Sequence, residues 1–323
     1  MTDEQSSSKH TKRRSRHIRT PDNLRPIRLT RRDLDILNSV GDYRVLSTTQ
    51  IRKLFFRSIH KTRKRLFKLW QHRLLDRRFQ PIRVGESPTE TLYVLARQGA
   101  RITASQNGSL GEASQLTPFE RSGSPLFLEH TLARNDFRIA LETAIRSRDG
   151  RRHLHWRHDK GIAESVNVIT ESASPRLQRV TLIADGRFQL RLEDRTQNFY
   201  LEVDRGTVSL SRWRTRAAAY SALFRQRQIL SGDVPFVVLV TAPSEKRAQH
   251  ICEILRLMRS AGNPIFYFAT QGLLDKVPEG VIEASIWKCP KTGADWSQRT
   301  ESLESLVAGG GAVTPLARAS ILS

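Results

Sequence analysis

The sequence predicts an α/β protein (α+β overall), with a small N-terminal domain followed by a larger α/β domain. Three observations lead to this prediction. Residues 29–105 contain three amphipathic helical patterns followed by two strand patterns. A linker rich in Ser, Gly and Pro, residues 106–126, separates them from the rest. Beyond it, apolar runs such as 237–240 alternate with amphipathic helices, which is typical of a sheet buried on both faces.

The first two helices are predicted from their start signals. Thr30 can cap a helix at residues 31–40 with Asp33 in its first turn, and Gly41 is expected to end it. Ser47 and Gln50 have the spacing of a capping box, which predicts a short second helix. Both helices carry an apolar stripe, formed by Leu34, Ile36, Leu37 and Val40 in the first and by Ile51, Leu54 and Phe55 in the second.

The third helix, predicted at residues 58–71, has an apolar face and a basic face. The apolar face comprises Ile59, Leu66, Leu69 and Trp70, with Arg63 falling near it; the basic face comprises Arg57, Lys61, Lys64, Arg65 and Lys68. Like charges one turn apart repel each other by a few tenths of a kcal/mol per pair unless a polyanion lies alongside. The basic face therefore indicates either a polyanion-binding surface or ordinary solvated surface.

A hairpin is predicted after the third helix. Its strands and turn are expected at residues 74–83, 90–95 and 85–88. Three helices followed by a hairpin are the pattern of a winged helix-turn-helix, whose recognition helix enters the major groove of DNA. Arg77, Arg78 and Arg83 of this wing could then contact flanking phosphates. Residues 29–105 are thus predicted to bind duplex DNA.

Charge and composition narrow the function classes. The net charge of +22 favours a polyanionic partner, and on charge alone DNA, RNA and an anionic membrane all fit. Because no run of about 20 apolar residues exists, no membrane span is predicted, and without a signal-peptide pattern we expect a cytoplasmic protein. Cys252 and Cys289 have no metal-ligand spacing, which fits two reduced thiols.

Residues 1–28 are polar and basic, with almost nothing apolar to bury. They are predicted to form a disordered arm. Such an arm could add salt-sensitive phosphate contacts, although a solubilising tail is the alternative.

The second domain is predicted over residues 127–290. Helices are expected at 127–146, 210–230 and 245–261, and strands at 153–156, 180–191, 199–204, 235–241, 264–269 and 282–287. Residues 291–323, which include three consecutive glycines, are expected to form a flexible tail.

Three carboxylates in this domain could carry chemistry. Asp185 ends one strand pattern, while Glu202 and Asp204 lie two residues apart on the next, so they share a face. Clustered carboxylates favour a cation between them, and Mg²⁺ held in this way can activate water in nucleases. The alternative is pairing with nearby arginines, of which there are four: Arg187, Arg191, Arg205 and Arg212.

Several segments resemble the replication-relaxation family of bacterial plasmid proteins. They are Ser47-Thr48-Thr49-Gln50, Leu92-Tyr93-Val94-Leu95 up to Gly99, Asp185-Gly186-Arg187-Phe188, the segment from Phe199 to Thr207 and the spacing from Arg216 to Tyr220. The resemblance covers roughly residues 29–290 and is most specific at Glu202-Val203-Asp204-Arg205-Gly206-Thr207. It implies a DNA-binding protein acting in plasmid replication and relaxation. The implied partners are duplex DNA, such as a plasmid origin, and other replication or relaxosome proteins, with no membrane.

The second domain is also similar in pattern to the PD-(D/E)XK nuclease-like fold. This similarity implies that Asp185 and Glu202 are metal ligands, with Mg²⁺ as the cofactor. Two departures favour a non-cutting site over an active nuclease or nickase: Ala184 replaces the usual Pro, and Asp204 occupies the position of the catalytic Lys. Arg216 could supply the missing positive charge, but it cannot act as a base because it stays protonated.

Two further alternatives remain open. His153-Leu154-His155 resembles the metal-binding pair of relaxases, with His158 as a third ligand and Tyr220 or Tyr200 as the nucleophile. A transcriptional regulator or accessory factor without catalysis is the other alternative.

Overall fold

The computed structural model describes residues 18–19, 26–79, 90–106, 125–146, 152–157, 163–169, 176–231, 236–257, 265–277, 280–289 and 300–308. The chain divides into two compact units, Met1–Pro125 (unit 1) and Leu126–Ser323 (unit 2). Both contain helices and strands, so the predicted α/β class is confirmed. Most of the predicted basic arm and linker, the wing turn, Arg83 and His158 lie outside the described residues. No helix in the described part of the chain is both long and apolar enough to cross a membrane.

Unit 1 places its helices before and around a small antiparallel sheet. Its elements are α1 (Arg31–Tyr43), β1 (Leu46–Ser47), α2 (Thr48–Phe55), α3 (Ile59–Gln71), β2 (Leu75–Arg78), β3 (Leu92–Leu95) and α4 (Arg97–Gln106). The strand order is β1-β3-β2. The apolar faces of the helices form its core, as shown by Ile36, Ile51 and Leu66, which are all fully buried.

The predicted helix starts of α1 and α2 are observed, but the predicted end of α1 is wrong. Thr30 and Asp33 form a reciprocal capping box, as do Ser47 and Gln50. Helix α1 continues through Gly41 to Tyr43 and ends at Arg44, which has a φ of 67°. A Cβ at position 41 would lie 3.2 Å from the Cδ2 atom of Leu95, so this glycine permits close packing instead of stopping the helix.

Unit 2 is built on a seven-stranded sheet. Its elements are α5 (Pro125–Arg146), β4 (Arg152–Arg157), β5 (Ala163–Ile169), β6 (Leu177–Ile183), β7 (Gly186–Leu192), β8 (Arg195–Val203), α6 (Leu210–Ser231), β9 (Val237–Ala242), α7 (Glu245–Leu257), β10 (Ile265–Thr270), α8 (Gln271–Lys276), β11 (Trp287–Lys288), β12 (Thr300–Glu301) and α9 (Leu303–Ala308). The strand order is β12-β11-β10-β9-β8-β7-β4, while β5 and β6 form a separate hairpin. The three central strands β8, β9 and β10 are parallel.

The central strands of the sheet are covered on both faces, as predicted. One core lies against α6 and α7 and includes Tyr220, Val238 and Phe268. The other lies against α5, α8 and α9 and includes Leu239 and Leu303. We call these the α6 face and the α5 face.

Two expectations for unit 2 are wrong. Residues 281–284 turn, so that only Trp287–Lys288 of the last predicted strand region pairs, as β11. Residues 300–308 were expected in a flexible tail, yet they form β12 and α9. Leu303, Leu306 and Val307 are spaced by three and four residues and are buried in the core of the α5 face, which explains the order of this segment.

Candidate nucleic-acid interface and carboxylate cluster

Helix α3 has one buried and one exposed face. Thr62, Leu66, Leu69 and Trp70 are buried against the rest of unit 1. Five exposed arginines and lysines lie on α3 or just before it, namely Arg57, Lys61, Arg63, Lys64 and Lys68. Arg63 is therefore exposed, whereas its sequence position suggested the apolar side. We call these five residues the cationic face of α3.

Two of the residues predicted to contact DNA, Arg65 and Arg77, make contacts within unit 1. The guanidinium of Arg65 bonds both carboxylate oxygens of Asp33, at 2.6 Å from Nε to Oδ1. The guanidinium of Arg77 lies over the ring of Trp70, 4.2 Å from its centroid, and near the ring of Phe67. Arg78 is exposed at the end of β2.

The partner of Arg65 also caps α1. Asp33 is almost fully buried, and its Oδ2 accepts a hydrogen bond of 2.7 Å from the backbone N of Thr30. Burial by itself would raise the pKa of Asp33, but the hydrogen bonds from Arg65 and Thr30 outweigh burial and lower it. The cap is evident from the local sequence, whereas its connection to α3 depends on tertiary packing.

Asp185 lies between β6 and β7, beside the end of β8. Its Oδ2 accepts a hydrogen bond of 2.7 Å from the backbone N of Val203, and its Oδ1 lies 2.8 Å from Nε2 of His130 on α5. The next residue is Gly186, where a Cβ would lie 2.6 Å from the ring of Trp156, so the close packing of this ring requires a glycine. Asp185 thus serves as a cap on the β8 backbone.

Glu202 is buried on the α6 face, and α6 supplies its partners. The hydroxyl of Tyr220 donates to Oε1 at 2.5 Å, and Nε of Arg216 lies 3.0 Å from the same oxygen. Burial raises the pKa of Glu202 to about 8, with Asp185 and Asp204 adding to the rise against the opposing effect of Arg216. Arg216 also donates to the carbonyl of Ile183 at 2.9 Å, which ties α6 to β6.

Asp204 follows β8 and lies on the same face, as its spacing from Glu202 predicted. Its carboxylate bonds Arg247 of α7 at 2.5 Å and 3.3 Å, and the backbone N of Gly206 at 3.2 Å. Arg247 also donates to the carbonyl of Val208, so this one side chain ties α7 to the loop after β8. Asp204 therefore has a cation of its own.

Each of the three carboxylates is paired with a different basic side chain. Asp185 is paired with His130, Glu202 with Arg216 and Asp204 with Arg247. Among the described residues, no group of three or more His, Cys, Asp or Glu side chains could hold a metal ion. This donor arrangement does not fit the Mg²⁺ that the nuclease-like pattern implies, because each carboxylate already has a basic partner.

The arginines proposed from sequence as alternative partners lie elsewhere. Arg187 pairs with Glu164, and Arg205 pairs with Glu129. Arg191 and Arg212 are exposed. His130 and Arg247 were missed, since nothing in the local sequence links either to the carboxylate it meets.

The tyrosines proposed as nucleophiles are buried. The hydroxyl of Tyr200 bonds Oε1 of Glu164 at 3.0 Å, and burial raises the pKa of Tyr200 to about 12. Burial and the neighbouring Glu202 raise the pKa of Tyr220 as well. His153 and His155 are exposed on the edge strand β4. A buried hydroxyl of raised pKa is poorly suited to attack DNA, so this geometry disfavours the relaxase interpretation.

Together, the fold and these contacts define a two-unit α/β protein with an exposed cationic helix in one unit and an internally paired carboxylate cluster in the other. Comparison with known families adds an identity. The family model described as replication-relaxation matches residues 37–235 of the 323, and the chain belongs to this family. Membership supports a role in replication and relaxation. No curated protein and no solved structure gives a match.

Proposed function

We propose that the protein binds duplex DNA through the cationic face of α3 and acts in this way in plasmid replication and relaxation. Unit 1 presents three helices, then β2 and β3, in the order of a winged helix-turn-helix, with α3 as the recognition helix. Family membership supports the role in replication and relaxation. A plasmid origin is the expected target.

The observation that carries this proposal is the exposure of Lys61, Lys64 and Lys68. They lie about one turn apart on a helix whose opposite face is buried, and no ion pair with them is found among the described residues. Their mutual repulsion disfavours the free protein slightly and is relieved when phosphates lie alongside. Arg57, Arg63 and Arg78 add to the same exposed charge.

We further propose that unit 2 does not cut DNA. Its nuclease-like pattern places Asp185 and Glu202 close enough for the charge of one to raise the pKa of the other, which is the feature that favours an active nickase as the second candidate. Each carboxylate nevertheless has a basic partner from α5, α6 or α7. These pairs make the cluster a connection between the sheet and its helices.

The DNA-binding proposal is tested by fluorescence anisotropy with a labelled duplex over a range of salt concentrations. Replacing Lys61, Lys64 and Lys68 together by Ala should weaken binding at low salt on the order of tenfold or more. The plot of log K against log salt should become less steep by about one unit for each lysine replaced. Weakening on all sequences indicates phosphate contacts, whereas weakening on one sequence indicates base contacts.

A matched pair of double variants controls for the loss of net charge. Lys64→Ala with Lys68→Ala removes two cations four residues apart on α3, and Arg97→Ala with Arg101→Ala removes two exposed cations four residues apart on α4. Only the α3 pair should flatten the salt dependence. Equal effects of the two pairs, or no duplex binding by the unsubstituted protein at low salt, would overturn the proposal.

The proposed lack of cleavage is tested on supercoiled plasmid with Mg²⁺ or Mn²⁺. We expect no nicking by the purified protein. Asp185→Asn and Glu202→Gln, which preserve side-chain shape, distinguish an intrinsic activity from a contaminant. Nicking by the unsubstituted protein that both variants abolish would replace our proposal with the nickase.

A further inference from the structure

Strands β4 and β7 and the first half of β8 have one face that no helix in the described part of unit 2 covers completely. Leu154, Trp156, Phe188 and Phe199 pack into the core of the α5 face. Because side chains alternate along a strand, their neighbours in the chain point to the opposite side. These neighbours are His153, His155 and Arg157 of β4, Gln189 and Arg191 of β7, and Thr196 and Asn198 of β8, and we call them the open sheet face.

The register arranges this face in rows across three strands. His155 lies beside Gln189, which lies beside Asn198; His153 lies beside Arg191, which lies beside Thr196. The amide of Gln189 donates to the side-chain oxygen of Asn198 at 3.4 Å, which confirms that these side chains share a side. Neighbouring strands are about 4.8 Å apart and alternate residues about 6.8 Å apart, so the rows form a compact grid of polar groups.

The row of Arg157, Arg187 and Tyr200 borders the grid where the β5–β6 hairpin begins to cover the sheet. Glu164 of β5 accepts hydrogen bonds from Arg187 and Tyr200, and from Arg227 of α6. One carboxylate is thus shared by two guanidiniums, with a third, Arg157, beside Arg187. Burial lowers the pKa of Arg187, and the charges of Arg227 and Arg157 lower it further against the opposing effects of Tyr200 and Glu164.

The grid itself carries cations and hydrogen-bond donors but no carboxylate. Arg157 and Arg191 are exposed, and among the described residues no ion pair is found for either. The nearest acids in the strand register are Glu193 and Asp194, in the turn between β7 and β8 beyond the last row. A face with this composition is complementary to an anion. Only a long, regular anion can contact more than one row at the same time.

We infer that the open sheet face is a second DNA-binding surface, which contacts the phosphate backbone of a duplex without reading its sequence. This inference rests on the DNA binding proposed above and extends it to unit 2. Single-stranded DNA usually binds proteins by stacking its bases on exposed aromatic rings. The open sheet face presents none, since Tyr200 is buried and Trp156 lies on the other side. Arginines and polar amides instead suit phosphate and sugar contacts.

The test uses the full chain with Arg157→Gln and Arg191→Gln combined. We expect weaker duplex binding, with a salt dependence less steep by about 1.8 units because two arginines no longer neutralise phosphates. The weakening should therefore be about tenfold greater at 50 mM than at 200 mM salt. Single-stranded DNA of equal length should lose less affinity than the duplex.

A matched control removes the same charge elsewhere on unit 2. Arg212→Gln with Arg214→Gln replaces two exposed arginines of α6, and the salt dependence should stay unchanged. If the two double variants behave alike, the open sheet face makes no contact and the inference is wrong.

Comparison with the α3 lysine variant separates this failure from that of the proposed function. If only the α3 variant loses binding, the proposal that α3 binds DNA is retained and the proposal for the open sheet face is rejected. Equal loss from single-stranded and duplex DNA in the sheet variant would reject the duplex as its occupant. Circular dichroism should be the same for all variants, because every replaced side chain is exposed.

Discussion

The cationic face of α3 and the carboxylate cluster of unit 2 each bring together ionisable groups of one type. They differ in whether these groups face solvent or are paired within the fold. Lys61, Lys64 and Lys68 face solvent, whereas Glu202 and Asp204 are buried and bonded to arginines of α6 and α7. Charges left facing solvent are available to a partner, while buried charges must be paired within the fold. This difference supports the proposed DNA-binding role of α3 and the proposed structural role of the carboxylates.

The same comparison explains why Arg65 differs from its neighbours on α3. Arg65 turns toward Asp33 at the start of α1, so its charge connects two helices of unit 1. Helix α3 therefore carries both paired and solvent-facing positive charges. A basic side chain is paired where a buried acid lies within reach and faces solvent where none does. Substitutions at the paired and exposed positions should consequently affect different properties.

The largest stability effect is expected for Arg216→Met, which leaves Glu202 buried without its cation. At pH 9, where Glu202 is ionised, unfolding in urea should require about 3 kcal/mol less free energy. The loss should shrink below pH 8, because Glu202 can then bind a proton. Arg214→Met on the same helix is the control and should change stability by less than about 0.5 kcal/mol, since Arg214 is exposed. Equal losses would show that the Glu202 pair is not structural.

A smaller, pH-dependent effect is expected for Glu202→Gln. An acid with a raised pKa keeps its proton in the folded state while the unfolded chain loses it, so stability falls as pH rises from about 4.5 to about 8. Glutamine does not titrate, and the variant should lack this fall. Between pH 5 and pH 7 its stability should therefore improve relative to the unsubstituted protein by about 2.5 kcal/mol. A constant difference across that range would contradict the raised pKa.

Elements specified by neighbouring residues were predictable from the sequence. The capping boxes at Thr30 and Ser47 need only residues three positions apart, and the apolar run of β9 indicates a buried strand by itself. Family-specific segments drew attention to Asp185 and Glu202, and the structure places Nε of Arg216 3.0 Å from Oε1 of Glu202. The prediction that Glu202 and Asp204 share a face followed from strand geometry alone.

Side-chain pairs that depend on tertiary packing were not predictable in this way. Arg247 meets Asp204 across 43 residues of chain, and Arg65 meets Asp33 across 32. Gly41 looked like a helix stop because the neighbouring side chain of Leu95 is not visible in a local pattern. The order of α9 likewise comes from the core that receives Leu303.

The smallest effect is expected for Asp33→Asn, which removes the α1 partner of Arg65, the paired residue of α3. Because the pKa of Asp33 is lowered in the folded protein, its stabilisation is complete above pH 3.8 and is lost as pH falls further. At pH 7 the variant should be less stable by about 1 to 2 kcal/mol, and the difference should narrow below pH 3.8. Asp35→Asn removes a more exposed partner of Arg31 and should cost less than about 0.5 kcal/mol. DNA affinity should stay within about twofold in both variants, since the exposed lysines are untouched. A large loss of affinity in Asp33→Asn alone would mean that the Arg65 pair also sets the position of α3 on DNA.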